Sequence, residues 1–221
     1  MRILVVEDEP QLALRLEQLL ASHGFVVDVA YDGENGWHLG DTEPYDAAVL
    51  DLGLPRIDGI SVLQRWREAG RGMPVLILTA RSRWSEKMAG FNAGADDYLT
   101  KPFEMEEVVV RLKALIRRAA GHASPELACG PLRLDTRTDR FTLNGGPLLL
   151  TAQEARILAY LMHHRDKAVS RTELAEHVYD RNFDADSNVI DVLIGRIRKK
   201  LGAELIHTVR GQGYRLSENA V

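Results

Sequence analysis

The chain has 221 residues and a formal net charge of −4, with 45% hydrophobic and 27% charged residues. This composition is typical of a globular protein, and the length suits one large domain or two of ordinary size. No apolar run approaches the ~18 residues that a membrane span needs. The acidic residues that follow Val6 argue against a signal peptide. The single cysteine, Cys129, excludes an internal disulfide framework and favours a reducing cytoplasm.

Charge is distributed unevenly along the chain. Residues 1–120 carry more acidic than basic side chains, whereas residues 121–221 are almost balanced. Any nucleic-acid binding by the second half must therefore depend on where its individual charges lie.

In the first half, short apolar runs alternate with amphipathic segments. The apolar runs predict strands at Arg2–Val6, Val26–Ala30, Ala47–Leu50, Val75–Leu78 and Asp97–Thr100. The amphipathic segments predict helices from about Leu12 to Gly24 and at Glu34–Leu39, Val62–Trp66, Ser85–Asn92 and Met105–Arg118. Five strands that alternate with five helices predict an α/β fold with a doubly wound, five-stranded parallel sheet.

Polar side chains stand where four of these strands end. Glu7 and Asp8 follow the first strand, Asp51 the third, Thr79 the fourth and Lys101 the fifth. In an open parallel sheet these ends meet at one edge, where ligands bind. Neighbouring carboxylates repel one another unless a cation lies between them. A hard cation with oxygen ligands, Mg²⁺ above all, meets that need.

The lysine and the threonine suit the transfer of a phosphoryl group to Asp51. An ammonium can stabilise the charge of the phosphoryl group, and a hydroxyl can donate to its oxygens. The pattern therefore predicts an aspartate that accepts a phosphoryl group with the help of Mg²⁺. Each residue alone is more simply the start of a loop; their joint occurrence at successive strand ends favours the site.

The segments VVEDE, VLDLGLP, LILTA and YLTKPF resemble the receiver domain of bacterial two-component response regulators, a flavodoxin-like fold, over residues 1–118. The resemblance implies that Asp51 is the phosphoacceptor and that Lys101 pairs with the phosphoryl group. It implies a Mg²⁺ site formed by Asp8, Asp51 and the Gly53 carbonyl, with Glu7 nearby through water. Thr79 and Tyr98 would be the switch pair, and the Lys101–Pro102 bond would be cis.

A charged surface is expected around the last helix of this half. The resemblance to receivers of the OmpR/PhoB subfamily implies a homodimer with the cross-axis pairs Lys87–Glu107, Asp97–Arg111 and Asp96–Arg118. The alternative is a solvated charged face with no partner. Exposed ion pairs are individually worth ~0–1 kcal/mol, so they would set register more than affinity.

The second half begins after a linker, residues 119–126, that is small, polar and broken by Pro125. Short strands are predicted at Leu132–Leu134, Arg140–Leu143 and Leu148–Leu150, with an Asn144-Gly145 hairpin turn. Capping boxes at Thr151–Glu154 and Ser170–Glu173 predict the starts of two helices, the second of which ends near Tyr179. A polar loop is predicted at 180–187, followed by a third helix at Asn188–Leu201. A hairpin of Ile206–Val209 and Tyr214–Leu216 comes last.

This order is that of a winged helix-turn-helix domain. TAQE, IGRIRKKL and TVRGQGYRL resemble the DNA-binding domain of the OmpR/PhoB subfamily, and DLGLP, GADDY and DVLIGRIRKK resemble its PhoP branch. The predicted organisation is therefore a receiver at 1–118, a linker at 119–126 and a winged-helix effector domain at 127–221.

The third helix of the second half has two distinct faces. One face is apolar and is expected to lie in the core: Ile190, Leu193, Ile194, Ile197 and Leu201. The opposite face offers candidate DNA contacts: Asn188, Val192, Arg196, Arg198 and Lys199, with Arg210 at the hairpin tip. Gly195 costs ~1 kcal/mol inside a helix, so it is expected to serve a close approach. The alternative is a basic helix end that only complements the helix dipole.

The resemblance implies a transcription regulator that a sensor histidine kinase phosphorylates and that binds double-stranded promoter DNA at paired half-sites, with RNA polymerase as a further partner and no membrane contact. One alternative is a regulator that binds DNA regardless of phosphorylation. Another is a phosphatase with an aspartate nucleophile. Such enzymes usually carry a second acid two residues after the nucleophile, where this chain has Gly53.

Overall fold

The computed structural model describes residues 1–79, 90–179, 188–202 and 205–219. The chain divides into two compact units, Met1–Ala119 and Ala120–Val221. The last helix of the first unit ends at Ala119, and the first strand of the second begins at Glu126.

The first unit is a five-stranded parallel sheet in the order β2-β1-β3-β4-β5. Its strands are β1 (Arg2–Val6), β2 (Val26–Ala30), β3 (Ala47–Asp51), β4 (Val75–Thr79) and β5 (Asp97–Thr100). Its helices are α1 (Pro10–Ser22), α2 (Gly33–Thr42), α3 (Gly59–Glu68) and α4 (Met105–Ala119). The doubly wound sheet predicted from the alternating pattern is confirmed.

Both faces of this sheet are covered, which explains why its strands are almost continuously apolar. Leu16 of α1 and Leu112 of α4 pack on one face, with Ile3 of β1. Trp66 of α3 packs on the other face, with Leu4 of β1. Successive residues of β1 thus point to opposite layers, as the strand period requires. Full burial of such a side chain stabilises the fold by ~1.5–3 kcal/mol.

Local caps set where the helices begin. Asp32 and Asp58 accept hydrogen bonds from backbone N–H groups of α2 and α3. Both helices are therefore longer than their apolar periodicity predicted. The helix predicted at Ser85–Asn92 lies mostly outside the described residues, although residues 90–92 are helical.

The described residues of the second unit form two small antiparallel sheets and three helices. One sheet has the order β6-β7-β8-β9 and the other β10-β12-β11. The strands are β6 (Glu126–Cys129), β7 (Leu132–Asp135), β8 (Arg140–Leu143), β9 (Gly146–Pro147), β10 (Ala168–Val169), β11 (Ile206–Val209) and β12 (Gly213–Leu216). The helices are α5 (Ala152–His163), α6 (Arg171–Val178) and α7 (Val189–Leu201).

One strand prediction in this unit is wrong. Residues 148–150 are not a strand. The strand that follows β8 and pairs with it is Gly146–Pro147, just upstream. Leu149 is 82% exposed, so the apolar run does not form a buried strand. The short strands β6 and β10 were not predicted. Strand β10 pairs with β12, which is distant in sequence, whereas β6 forms a hairpin with the adjacent β7 that its short pattern did not indicate.

The turn and capping predictions are largely confirmed. Asn144 and Gly145 have φ angles of 51° and 79°, as the predicted hairpin turn requires. Thr151 and Glu154 form the full capping box of α5. Ser170 caps α6, but the Glu173 carboxylate accepts a hydrogen bond from the Tyr160 hydroxyl. The polar loop predicted at 180–187 lies outside the described residues.

Within the described ranges, no helix combines the length and the apolar character that crossing a membrane demands.

Candidate functional site

Three charged side chains meet at the carboxyl ends of the parallel sheet. The Lys101 ammonium lies 2.6 Å from Asp51 Oδ2 and 2.8 Å from Glu7 Oε2, and each pair is a hydrogen bond. Glu7 is 1% exposed and Asp51 8%. The site is therefore a largely buried ion network in which one cation serves two carboxylates.

Burial and pairing act in opposite directions on the titration of this network. Burial raises the pKa of Glu7, with a further contribution from the Asp51 charge, and the Lys101 hydrogen bond only partly offsets it. Burial would lower the pKa of Lys101, but its hydrogen bonds to Asp51 and Glu7 outweigh burial and raise it. The ammonium of Lys101 is thus held in its charged form, whereas burial disfavours the charged form of Glu7.

A third carboxylate completes an acidic cluster. Oxygen atoms of Glu7, Asp8 and Asp51 all lie within 4.8 Å of one another, and Asp8 is exposed. The Gly53 N–H donates to Asp51 Oδ1 at 3.1 Å, which fixes the aspartate against the turn after β3. Oxygen-only donors in this number fit a hard divalent cation. The structure thus brings together the three carboxylates that the sequence predicted for a metal site.

The predicted switch residues lie on neighbouring strands of the same edge. Thr79 ends β4 and is 1% exposed, and its carbonyl accepts a hydrogen bond from the Lys101 N–H at 2.8 Å. Tyr98 of β5 is partly buried, and its ring centroid lies 4.9 Å from that of Phe91. Burial raises the pKa of the Tyr98 phenol. The Lys101–Pro102 peptide is cis, as expected.

The residues predicted for a dimer face already make contacts within one chain. Arg111 pairs with Asp97 at 2.8 Å and donates from Nε to Glu107 at 2.9 Å. Asp96 accepts hydrogen bonds from Arg67 and from the Val75 N–H. Arg118 is exposed at the end of α4, and Lys87 lies outside the described residues.

In the second unit, α7 has the two faces that its sequence predicted. The core set is buried, with exposures between 0% and 3%: Ile190, Leu193, Ile194, Ile197 and Leu201. Val192, Arg196 and Lys199 are exposed on the other side, and exposed Asn188 precedes the helix. Arg210 is exposed at the tip of the β11–β12 hairpin, or wing.

Arg198 differs from the other candidate DNA contacts because its side chain is held by the wing. Its Nε donates to the Ile206 carbonyl at 3.0 Å, and its Nη2 donates to Thr208 Oγ1 at 2.8 Å. Its guanidinium also lies 5.7 Å from the Tyr214 ring centroid. These contacts fix α7 against the wing.

Two further polar links that the sequence analysis missed hold α7 in place. Asp191 accepts a hydrogen bond from the Tyr214 hydroxyl and pairs with Arg171 at 2.7 Å. At the other end of the helix, Lys200 lies 2.7 Å from Glu154, the buried acid of the α5 capping box. The capping box was visible in the sequence, but its third partner comes from 46 positions away along the chain.

Comparisons with known proteins agree with this architecture. The family "Response regulator receiver domain" matches residues 3–113, and the family "Transcriptional regulatory protein, C terminal" matches residues 145–216. A receiver followed by a winged-helix DNA-binding domain defines a response regulator. The chain belongs to the OmpR/PhoB subfamily of two-component response regulators, and it is a phosphorylation-dependent transcriptional regulator.

The full-length relatives include PhoP. The chain is 44% identical to the "Two-component response regulator PhoP" of Pseudomonas aeruginosa, over 99% of both chains. It is 45% identical to the "Transcriptional regulatory protein TctD" of Salmonella typhimurium, over 97% of this chain and 96% of that one. A solved receiver domain of the Francisella response regulator 1452 aligns with a TM-score of 0.51 and 36% identity, over 53% of this chain and 97% of that one. The resemblance inferred from the sequence is confirmed.

Proposed function

We propose that Asp51 is the residue that accepts the phosphoryl group, and that a sensor histidine kinase supplies it. The observation that supports this most directly is the position of the Asp51 carboxylate, 2.6 Å from the Lys101 ammonium in an acidic cluster. In the reaction, an Asp51 oxygen forms a bond to phosphorus while the phosphorus–nitrogen bond to the kinase histidine breaks. The histidine nitrogen keeps the electron pair and takes up a proton from water.

The acidic cluster is proposed to hold Mg²⁺ through Asp8, Asp51 and the Gly53 carbonyl, with Glu7 close by. When bound, the ion would neutralise charge that develops on the phosphoryl oxygens. Lys101 then provides a second positive charge, and the Thr79 hydroxyl can donate to a phosphoryl oxygen. Gly53 offers no side-chain acid that could protonate a leaving group. The reaction is therefore a single self-catalysed phosphorylation of the chain, without turnover of a substrate.

Phosphorylation is proposed to act on the DNA-binding domain through dimerisation. Phosphorylation draws Thr79 inward and stabilises the inward position that the Tyr98 ring has in this structure. The charged surface formed by Asp96, Asp97, Glu107, Arg111 and Arg118, together with Lys87, then pairs with a second copy. The intrachain Asp97–Arg111 pair at 2.8 Å would exchange for the same pair between chains, so the exchange conserves the number of ion pairs. The interchain ion pair therefore sets the register in which the two copies associate.

Two linked DNA-binding domains bind paired half-sites more tightly than one, because the second binding event becomes intramolecular. We propose that α7 enters the major groove with Asn188, Val192, Arg196 and Lys199, and that Arg210 reaches phosphate or the minor groove. Arg198 is proposed to act at the same surface while it holds the wing. Such a regulator works in the cytoplasm, with RNA polymerase as its further partner.

The test is phosphorylation of the full chain by acetyl phosphate with Mg²⁺, measured by intact mass and by mobility on phosphate-affinity gels. Asp51→Asn should abolish the added phosphoryl mass, because amide nitrogen and oxygen cannot form the acyl phosphate. Asp41→Asn, which removes a carboxylate that pairs with Arg71 on the surface, is the matched control and should be labelled normally. Labelling of Asp51→Asn at the wild-type level would refute the assignment.

The same samples test the coupling to DNA. Wild-type protein with acetyl phosphate should elute as a dimer and bind DNA selected from a random pool more tightly than untreated protein. Equal DNA affinity with and without the phosphoryl donor would instead support a regulator that binds DNA regardless of phosphorylation.

A further inference from the structure

The inward position of the Tyr98 ring depends on a gap in the neighbouring helical turn. Tyr98 projects from β5 towards the helical residues 90–92, where it meets the Phe91 ring. Gly90 stands opposite the end of the tyrosine side chain. A Cβ built on Gly90 would lie 1.2 Å from the Tyr98 hydroxyl oxygen and 2.4 Å from Cζ. Non-bonded heavy atoms do not approach each other so closely, so the phenol occupies the space that the Cβ of any other residue at position 90 would fill.

The backbone gives no competing reason for glycine at this position. Gly90 is helical, with its φ outside the left-handed region that favours glycine. A helical glycine costs ~1 kcal/mol relative to alanine. Gly94, a few residues later, has φ of 98° and ends this turn, so it has a conformational role of its own. Glycine at position 90 therefore leaves free space next to the helix, and the Tyr98 ring occupies that space.

The other side chain that borders this space cannot easily move. Ile77 Cδ1 would lie 3.1 Å from the added Cβ, and Ile77 is fully buried in β4. Among the described residues the Tyr98 hydroxyl has no hydrogen-bond partner, so steric fit and burial hold the ring. A close-packed wall cannot absorb an extra methyl group by small shifts.

We propose that Gly90 is a positioning residue of the phosphorylation switch, because it provides the space into which the Tyr98 ring turns. This rests on the proposed function, in which Thr79 and Tyr98 carry the signal from Asp51. Gly90→Ala keeps the phosphoacceptor site but forces the ring outward, and the chain then accepts a phosphoryl group without assembling its dimer face.

The experiment compares full-length wild type, Gly90→Ala and a matched glycine-to-alanine control, Gly72→Ala. A Cβ at Gly72 would meet nothing within 4 Å, and its φ is outside the left-handed region. Each chain is phosphorylated with acetyl phosphate, and dimerisation is measured by sedimentation at equal phosphorylated fraction. Gly90→Ala should dimerise at least ~10-fold more weakly than wild type, as a population shift of the ring predicts. Gly72→Ala should match wild type.

Two measurements separate a steric switch from general destabilisation. Fluorotyrosine labelling, with the Tyr98 resonance identified by Tyr98→Phe, should show a buried ring in wild type and a solvent-exposed ring in Gly90→Ala. In a Tyr98→Ala background, where no phenol competes for the gap, Gly90→Ala should raise the unfolding midpoint through its better helix propensity. If Gly90→Ala alone does not fold, folding of the double variant supports the clash, and unfolding of both refutes it.

Failure of this inference differs from failure of the proposed function. If phosphorylated wild type dimerises and Gly90→Ala dimerises equally well, Gly90 does not position Tyr98. If wild type itself is not labelled on Asp51 or does not dimerise when labelled, the proposed function is wrong.

Discussion

The two functional regions handle positive charge in opposite ways. In the receiver, Lys101 is 21% exposed in its side chain and is held by two carboxylates at 2.6 Å and 2.8 Å. On the face of α7 opposite its core residues, Arg196 and Lys199 are exposed to solvent. A buried, paired cation is fixed in advance for one small, highly charged group. Exposed cations can instead neutralise a long phosphate backbone at several points.

Arg198 shows that the difference between fixed and exposed cations depends on the contacts of each side chain and not on its neighbours in the sequence. It stands one position from Lys199 and two from Arg196, yet its guanidinium is bound to the β11–β12 hairpin. It resembles Lys101 in this respect, because each cation is fixed by acceptors on other elements. Position in a basic cluster therefore does not decide whether a cation is free to bind DNA.

The largest expected effect comes from removing the fixed cation of the receiver. Lys101→Met should slow phosphoryl uptake from acetyl phosphate by ~10²-fold or more, because one preorganised charge is lost from the transferring group. Mg²⁺ binding, followed by fluorescence titration, should persist or tighten, because the ammonium no longer competes for Asp51 and Glu7. Lys113→Met on α4 is the control with the same change of charge. Uptake at the wild-type rate would show that the ion network has only a structural role.

A smaller effect should separate the two kinds of arginine on α7. Arg196→Ala should weaken DNA binding and reduce the salt dependence by about one charge, with unfolding unchanged. Arg198→Ala should lower the free energy of unfolding by ~1–3 kcal/mol, because the Ile206 carbonyl and Thr208 lose a charged donor. The salt dependence of DNA binding should change less in Arg198→Ala than in Arg196→Ala. DNA titrations at several salt concentrations, paired with urea unfolding, give both quantities. Equal unfolding midpoints for the two variants would contradict the distinction.

The smallest effect is expected at Gly195. A Cβ at this position would meet nothing within 4 Å, so the glycine serves no close approach within the chain. Gly195→Ala should raise the free energy of unfolding by ~1 kcal/mol through helix propensity. DNA affinity should fall a few-fold if the glycine lets the groove approach the helix. Unchanged or higher DNA affinity, measured on the same DNA, would show that Gly195 does not lie at the interface.

Much of the receiver could be predicted because the ends of its strands are marked in the sequence. Each strand is a short apolar run that ends in a turn or a polar residue, and the parallel order then brings Glu7, Asp51 and Lys101 to one edge. The second unit was harder. Its strands β6 and β10 have no distinctive pattern, and the apolar Leu148–Leu150 run resembled a strand more than Gly146–Pro147 did. Strand β10 forms only by pairing with the distant β12, whereas β6 and β9 pair with neighbouring strands through contacts that local periodicity does not predict.

The sequence alone determined the alternation of strands and helices in the receiver, the acidic cluster with its lysine, the two faces of α7 and the caps that begin α5 and α6. All of these depend on local periodicity or on residues at the ends of elements. Tertiary structure alone decided that Arg198 and Lys200 hold α7 against its neighbours, and that Gly90 leaves room for the Tyr98 ring. The physical reason is the same in each case: a hydrogen bond of about 3 Å or a single methyl group of free space depends on how distant segments pack.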